Sequence, residues 1–153
     1  MKKLLLTLIP LFLLSGCTPK DKTPRNESSS VIENETADEE REYKMILSID
    51  RQEQNITWEN NASVKALKEL GELKIDMHRY GGFEQVGSIG HTLVSNDVQM
   101  TTNPGDIVLY SSNQLTIFYG SNSWSYTKLG HINLNKSELT TLLDKPNVEV
   151  TIK

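Results

Sequence analysis

The runs Gly105-Asp106-Ile107-Val108-Leu109-Tyr110, Gln114-Leu115-Thr116-Ile117-Phe118-Tyr119 and Ser123-Trp124-Ser125-Tyr126-Thr127-Lys128-Leu129 follow one another, separated only by Ser111-Ser112-Asn113 and Gly120-Ser121-Asn122. β-Branched and aromatic residues fill the runs, and Ser, Asn and Gly fill the gaps, as expected of strands joined by tight turns. Asn103-Pro104-Gly105 sets a further turn before them. Upstream, Leu73, Ile75, Met77 and Arg79 alternate with Lys74, Asp76, His78 and Tyr80, a period of two that predicts a strand with one inward face. Arg79 is the odd member of that inward set.

The outer parts of the sequence complete the pattern. Tyr43 to Ile49 predicts a strand with Met45, Leu47 and Ile49 on one face, and Gln54 to Glu59 its hairpin partner across a turn at Asp50-Arg51-Gln52-Glu53. The period then changes. Val64, Ala66, Leu67 and Leu70 lie on one side of a short helix, with Asn61 as N-cap and Gly71 as its stop. A capping box, Asn135-Lys136-Ser137-Glu138, opens a second helix running from Ser137 to about Leu143. Val148, Val150 and Ile152 form a last strand. Seven or eight strands with two short helices predict a mainly β chain, closed as a barrel with helices over its open ends.

Length and charge bound the function. The 153 residues include one Cys and three His, with 16 Lys plus Arg against 20 Asp plus Glu. That is material for one domain, with no internal disulfide and no multi-cysteine metal site, so neither a metal nor a cofactor is expected. The net charge of −4 argues against nucleic acid, which requires a basic face. The charge is unevenly placed. Residues 1–16 carry only Lys2 and Lys3, whereas residues 18–43 set Lys20, Lys22, Arg25 and Arg41 against eight acids, Asp21, Glu27, Glu33, Glu35, Asp38, Glu39, Glu40 and Glu42.

A basic start, the apolar run Leu4 to Leu14 and small residues Ser15-Gly16 form an export signal, too short for the roughly 20 apolar residues of a permanent span. Leu14-Ser15-Gly16-Cys17 resembles the lipobox of bacterial lipoproteins. That resemblance implies a diacylglycerated Cys17 as the mature N-terminus, two acyl chains giving stable attachment to the membrane, and an extracytoplasmic location. Residues 17–43 then read as a lipidated cysteine and a disordered acidic tether, with Val31 and Ile32 its only sizeable aliphatics and a reach of roughly 30 Å. Residues 44–153 are the folded domain, expected to be a monomer.

The glycine-rich stretch Tyr80 to Gly90 contains Gly81, Gly82, Gly87 and Gly90. It is not a phosphate loop, because no Gly-Lys-Ser/Thr follows and no strand leads into a helix. Its glycines are expected at bulges and close turns of a curved sheet. The blocks Met77-x-x-Tyr80-Gly-Gly-Phe-Glu-Gln-Val-Gly-Ser-Ile-Gly90, Gly105 to Gln114, Phe118 to Thr127 and Leu129-Gly130 resemble those of bacterial cyclophilin-like fold proteins, over essentially all of residues 44–153. The resemblance implies a closed eight-stranded cyclophilin-like β-barrel with two short capping α-helices, and it implies no particular reaction.

Met77-His78-Arg79, Gly82-Phe83 and Gln85-Val86-Gly87 also echo, at shorter spacing, the Phe-His-Arg, Gly-Phe and Gln-x-Gly of true cyclophilins. Arg79, Phe83 and Gln85 are therefore the catalytic candidates for an alternative reading as an extracytoplasmic peptidyl-prolyl isomerase, the arginine polarising the prolyl nitrogen. The preferred reading is binding without turnover. Tyr80, Phe83, Gln85, Asn113, Tyr119, Asn122, Trp124 and Tyr126, aromatic bodies with polar tips and loop-end amides, are the candidates to hold a peptide, a protein partner or a small organic ligand. His91 and His131 show no triad partner and Ser88 no nucleophile elbow, so hydrolysis is not expected.

Overall fold

The computed structural model describes residues 44–153; the export signal, Cys17 and the acidic tether lie outside the described residues. In chain order the elements are β1 (Leu47–Ile49), β2 (Gln52–Gln54), β3 (Ile56–Trp58), α1 (Ala62–Glu69), β4 (Leu73–Tyr80), β5 (Glu84–Ser88), β6 (Val98–Thr101), β7 (Asp106–Tyr110), β8 (Gln114–Phe118), β9 (Ser123–Ile132), α2 (Lys136–Leu143) and β10 (Asn147–Ile152). Among the described residues no helix is long and apolar enough to cross a membrane.

All pairings are antiparallel, in the order β2-β1-β10-β4-β5-β8-β7-β9-β3, with β6 added to β9. β2 and β3 stand at opposite ends of that order yet are separated only by Asn55. One bent run therefore closes the sheet on itself, β2 pairing β1 and β3 pairing β9. Counted as one strand, this run makes the ring eight-stranded. The sequence reading placed a single hairpin partner at Gln54 to Glu59. Instead Asp50 and Arg51, both at positive φ, make the turn, Gln52–Gln54 pair back onto β1, and Ile56–Trp58 leave for β9. The sequence pattern gave no signal for β6, a short strand of mostly exposed residues on β9.

Inward alternation fills the barrel. Leu47, Ile49, Ile75, Ile107, Leu109, Leu115, Ile117, Leu129 and Ile132 are buried in one cluster, which Val64 and Leu67 of α1 and Leu139 and Leu143 of α2 join. Each such aliphatic contributes about 1.5–3 kcal/mol through burial. The Asn61 side chain accepts from the Val64 N–H to cap α1, and Asn135 and Glu138 cap α2 reciprocally. Gly81 and Gly82 both take positive φ in the β4–β5 turn. Gly87 is needed for another reason: a Cβ there would lie 2.7 Å from Ile75 Cγ2 and 2.8 Å from Met77 Cγ, inside the packed core.

Candidate functional site

Because β4, β5, β8 and β7 lie side by side, their alternate residues form rows across the outer face of the barrel. Tyr80 stands opposite Glu84, and Glu84 opposite Phe118; His78, Val86, Thr116 and Val108 form the next row; Ser88, Gln114 and Tyr110 the third. Along the same outer face, β9 places the Tyr126 ring edge-on to Tyr110 at 5.9 Å and to Phe118 at 5.6 Å between centroids. β6 extends this wall, with Val98 opposite Tyr126 and Met100 opposite Trp124. Val108, Phe118 and Tyr126, with Phe83 and Met100 against them, form a second apolar cluster separate from the barrel core.

Above that cluster the outer face holds a cavity of about 420 Å³, lined by the residues of the three rows other than the buried Phe118 and Val108, together with Asn122, Trp124 and Tyr126. Its rim is aromatic and open: Tyr80 is 64% exposed and Trp124 57%. Asn122 is fixed by its loop, its backbone bonded to Thr102 and its side-chain oxygen accepting from the Ser123 N–H. Its amide nitrogen therefore donates to the Tyr126 hydroxyl at 2.9 Å, leaving that hydroxyl's own proton free to donate.

The chemistry of the wall centres on Glu84, which is only 6% exposed. Among the described residues its carboxyl has no hydrogen-bond or ion-pair partner. Desolvation raises its pKa from 4.5 to about 7, since burial penalises the charged form and nothing nearby offsets the cost. Burial, followed by the charge of Glu84, also raises the Tyr126 phenol.

The sequence profile of the cyclophilin-like family matches residues 47–153, which include every residue of this cavity. The chain belongs to the cyclophilin-like family. No curated protein matches it.

Within this cyclophilin-like domain the candidate residues separate by face. Tyr80, Asn122, Trp124 and Tyr126 line the cavity together. Phe83 lies beneath the outer face, its ring parallel to that of Phe118 at 6.4 Å. Gln85 points the other way, fully buried, with Nε2 donating at 2.7 Å to both the Leu143 and Lys145 carbonyls. Arg79 shares that inward side and is bound to Asp144 at 2.9 Å. Tyr119 is buried against the main core and its hydroxyl reaches Asp144 at 3.4 Å. Asn113 sits in the β7–β8 turn, its carbonyl accepting from the Ile89 N–H.

Glu84, His78 and Tyr110 line the cavity without having been singled out in the sequence. Their signal was available: extending the β4 alternation through the Gly81-Gly82 turn puts His78, Tyr80, Glu84 and Val86 on one side. His131, for which the sequence showed no triad partner, is held by a carboxylate. Its Nδ1 lies 2.9 Å from Oδ1 of the buried Asp106, which Lys128 also approaches at 3.3 Å. Asp106 further accepts from the Asn103 N–H, so the cluster pins the start of β7 to β9. Among the described residues no group of three or more His, Cys, Asp or Glu could hold a metal ion.

Proposed function

We propose that the domain is a ligand-binding module, displayed outside the bacterial membrane on a lipid attached to Cys17, and that its ligand occupies the outer-face cavity. The observation that carries this reading is a preformed, aromatic-walled cavity of about 420 Å³ with large rings left exposed at its rim. That size lies within the range of small-molecule sites, and apolar walls with a few fixed polar groups suit an organic ligand or a peptide side chain. The isomerase alternative draws no support from the position of Arg79, which is paired with Asp144 and lies on the other side of the sheet from the cavity.

A fragment screen followed through the Trp124 indole N–H in nuclear magnetic resonance tests the reading. Binders are expected to shift Trp124 and the Tyr126 ring together while leaving Trp58, whose Nε1 is bonded to the Met45 carbonyl, unmoved. A broad library that shifts neither cavity ring overturns it. For the anchor, Cys17→Ser is expected to move the protein from the membrane to the soluble fraction, and equal partition of both forms removes that part of the proposal.

A further inference from the structure

Three features of the cavity constrain what it accepts. Its wall contains Glu84, a residue more than nine-tenths buried whose carboxyl opens onto the cavity and has no partner among the described residues. Among the described residues no Lys or Arg lines the space, so none of them competes for that carboxyl. Around it stand the rings of Tyr80, Tyr110, Trp124 and Tyr126. Aromatic faces attract a positive charge, and most strongly where water is excluded. An anion would meet an unscreened carboxylate here, and a purely apolar ligand would leave Glu84 as costly as it is in the empty cavity.

Building on the reading of this cavity as a ligand site, we infer that its ligand carries an organic ammonium group, held by the Glu84 carboxylate and the faces of the surrounding aromatic rings. Such a cation supplies the partner that the fold withholds from Glu84. Binding then favours the ionised carboxyl, and near neutral pH it releases a proton to solvent. The titratable groups facing Glu84 are His78 and Tyr80 from β4, Tyr110 from β7 and Tyr126 from β9, and the Tyr119 phenol just after β8 also feels its charge; the lining residues of β8, Gln114 and Thr116, carry no charge, nor do the residues of β6. Affinity therefore weakens as pH falls.

Calorimetric titration of the full chain with benzyltrimethylammonium, whose charge does not titrate, and with its neutral isostere neopentylbenzene tests the inference. At pH 8 the cation is expected to bind at least tenfold more tightly than the isostere, and to lose at least tenfold in affinity by pH 5.5. Glu84→Gln is expected to abolish both the preference and the pH dependence. Trp124→Leu, at an exposed rim position, is expected to cost about fivefold with no change in folding. A blocked Gly-Lys-Gly peptide run alongside distinguishes a lysine side chain from a free amine as the source of the ammonium. Equal binding of cation and isostere overturns the inference and leaves the cavity a ligand site. Binding of neither, or wild-type preference in Glu84→Gln, overturns it as well, and the fragment screen then decides the broader reading on its own.

Discussion

The two faces of β4, β5 and β8 differ by one residue in register and by everything in their chemistry. On the inward face Arg79, Gln85, Gly87 and Ile117 meet the core or α2; Arg79 pairs with Asp144, and Gln85 Nε2 donates to two carbonyls while its Oε1 is buried without a partner among the described residues. On the outward face Tyr80 and His78 are exposed, and Glu84 is buried with no partner among the described residues. The inward polar groups hold the fold together. The Glu84 carboxyl, by contrast, opens onto the cavity and contributes no bond to the fold among the described residues.

The largest expected effect breaks the outward face. Glu84 has its ordinary pKa of 4.5 when unfolded and about 7 when folded, so the folded state binds the extra proton and its stability falls as pH rises through that window. The full cost above pH 7 is about 3 kcal/mol, and Glu84→Gln should recover most of it at pH 8 and almost nothing at pH 4. Urea denaturation across that range checks the slope; parallel wild-type and variant curves would contradict it. Asp50 does not confuse the result. Its pairing with Lys145 holds its pKa below 3.8, so its contribution is lost only on stronger acidification.

A smaller effect sharpens the inward face. Gln85→Leu removes two donated bonds to carbonyls beside α2 and should cost about 2 kcal/mol at every pH, leaving ligand-induced shifts at Trp124 unchanged. Loss of the Trp124 response in a folded variant would mean that the two faces are coupled. Smallest is Arg79→Ala. The Arg79–Asp144 pair is open to water, at 46% and 44% exposure, and its removal should cost less than about 1 kcal/mol. Any turnover of a proline peptide by the wild type should survive it; selective loss would place Arg79 in a catalytic role.

Much of this arrangement was legible along the chain. The Leu73-Ile75-Met77 alternation, the Asn61 cap and the Asn135–Glu138 capping box each act within a few residues, and each is found where its local pattern put it. Local patterns also brought Tyr80, Asn122, Trp124 and Tyr126 into the candidate set. They could not separate these four from Tyr119 and Gln85, because an aromatic or amide side chain suits either side of a strand. Val98–Thr101 was missed because a short outer strand needs no inward apolar row of its own.

By itself, then, the sequence determined a β-rich domain with two capped helices, and it did so because alternation and capping are short-range properties. Tertiary structure alone decided that Gln52 to Trp58 bend at Asn55 to close the ring, that Asp106 meets His131, and that Glu84 lies buried in an aromatic wall. Each of those outcomes depends on which distant strand becomes a neighbour. Burial and charge environment are properties of that neighbourhood rather than of the residue.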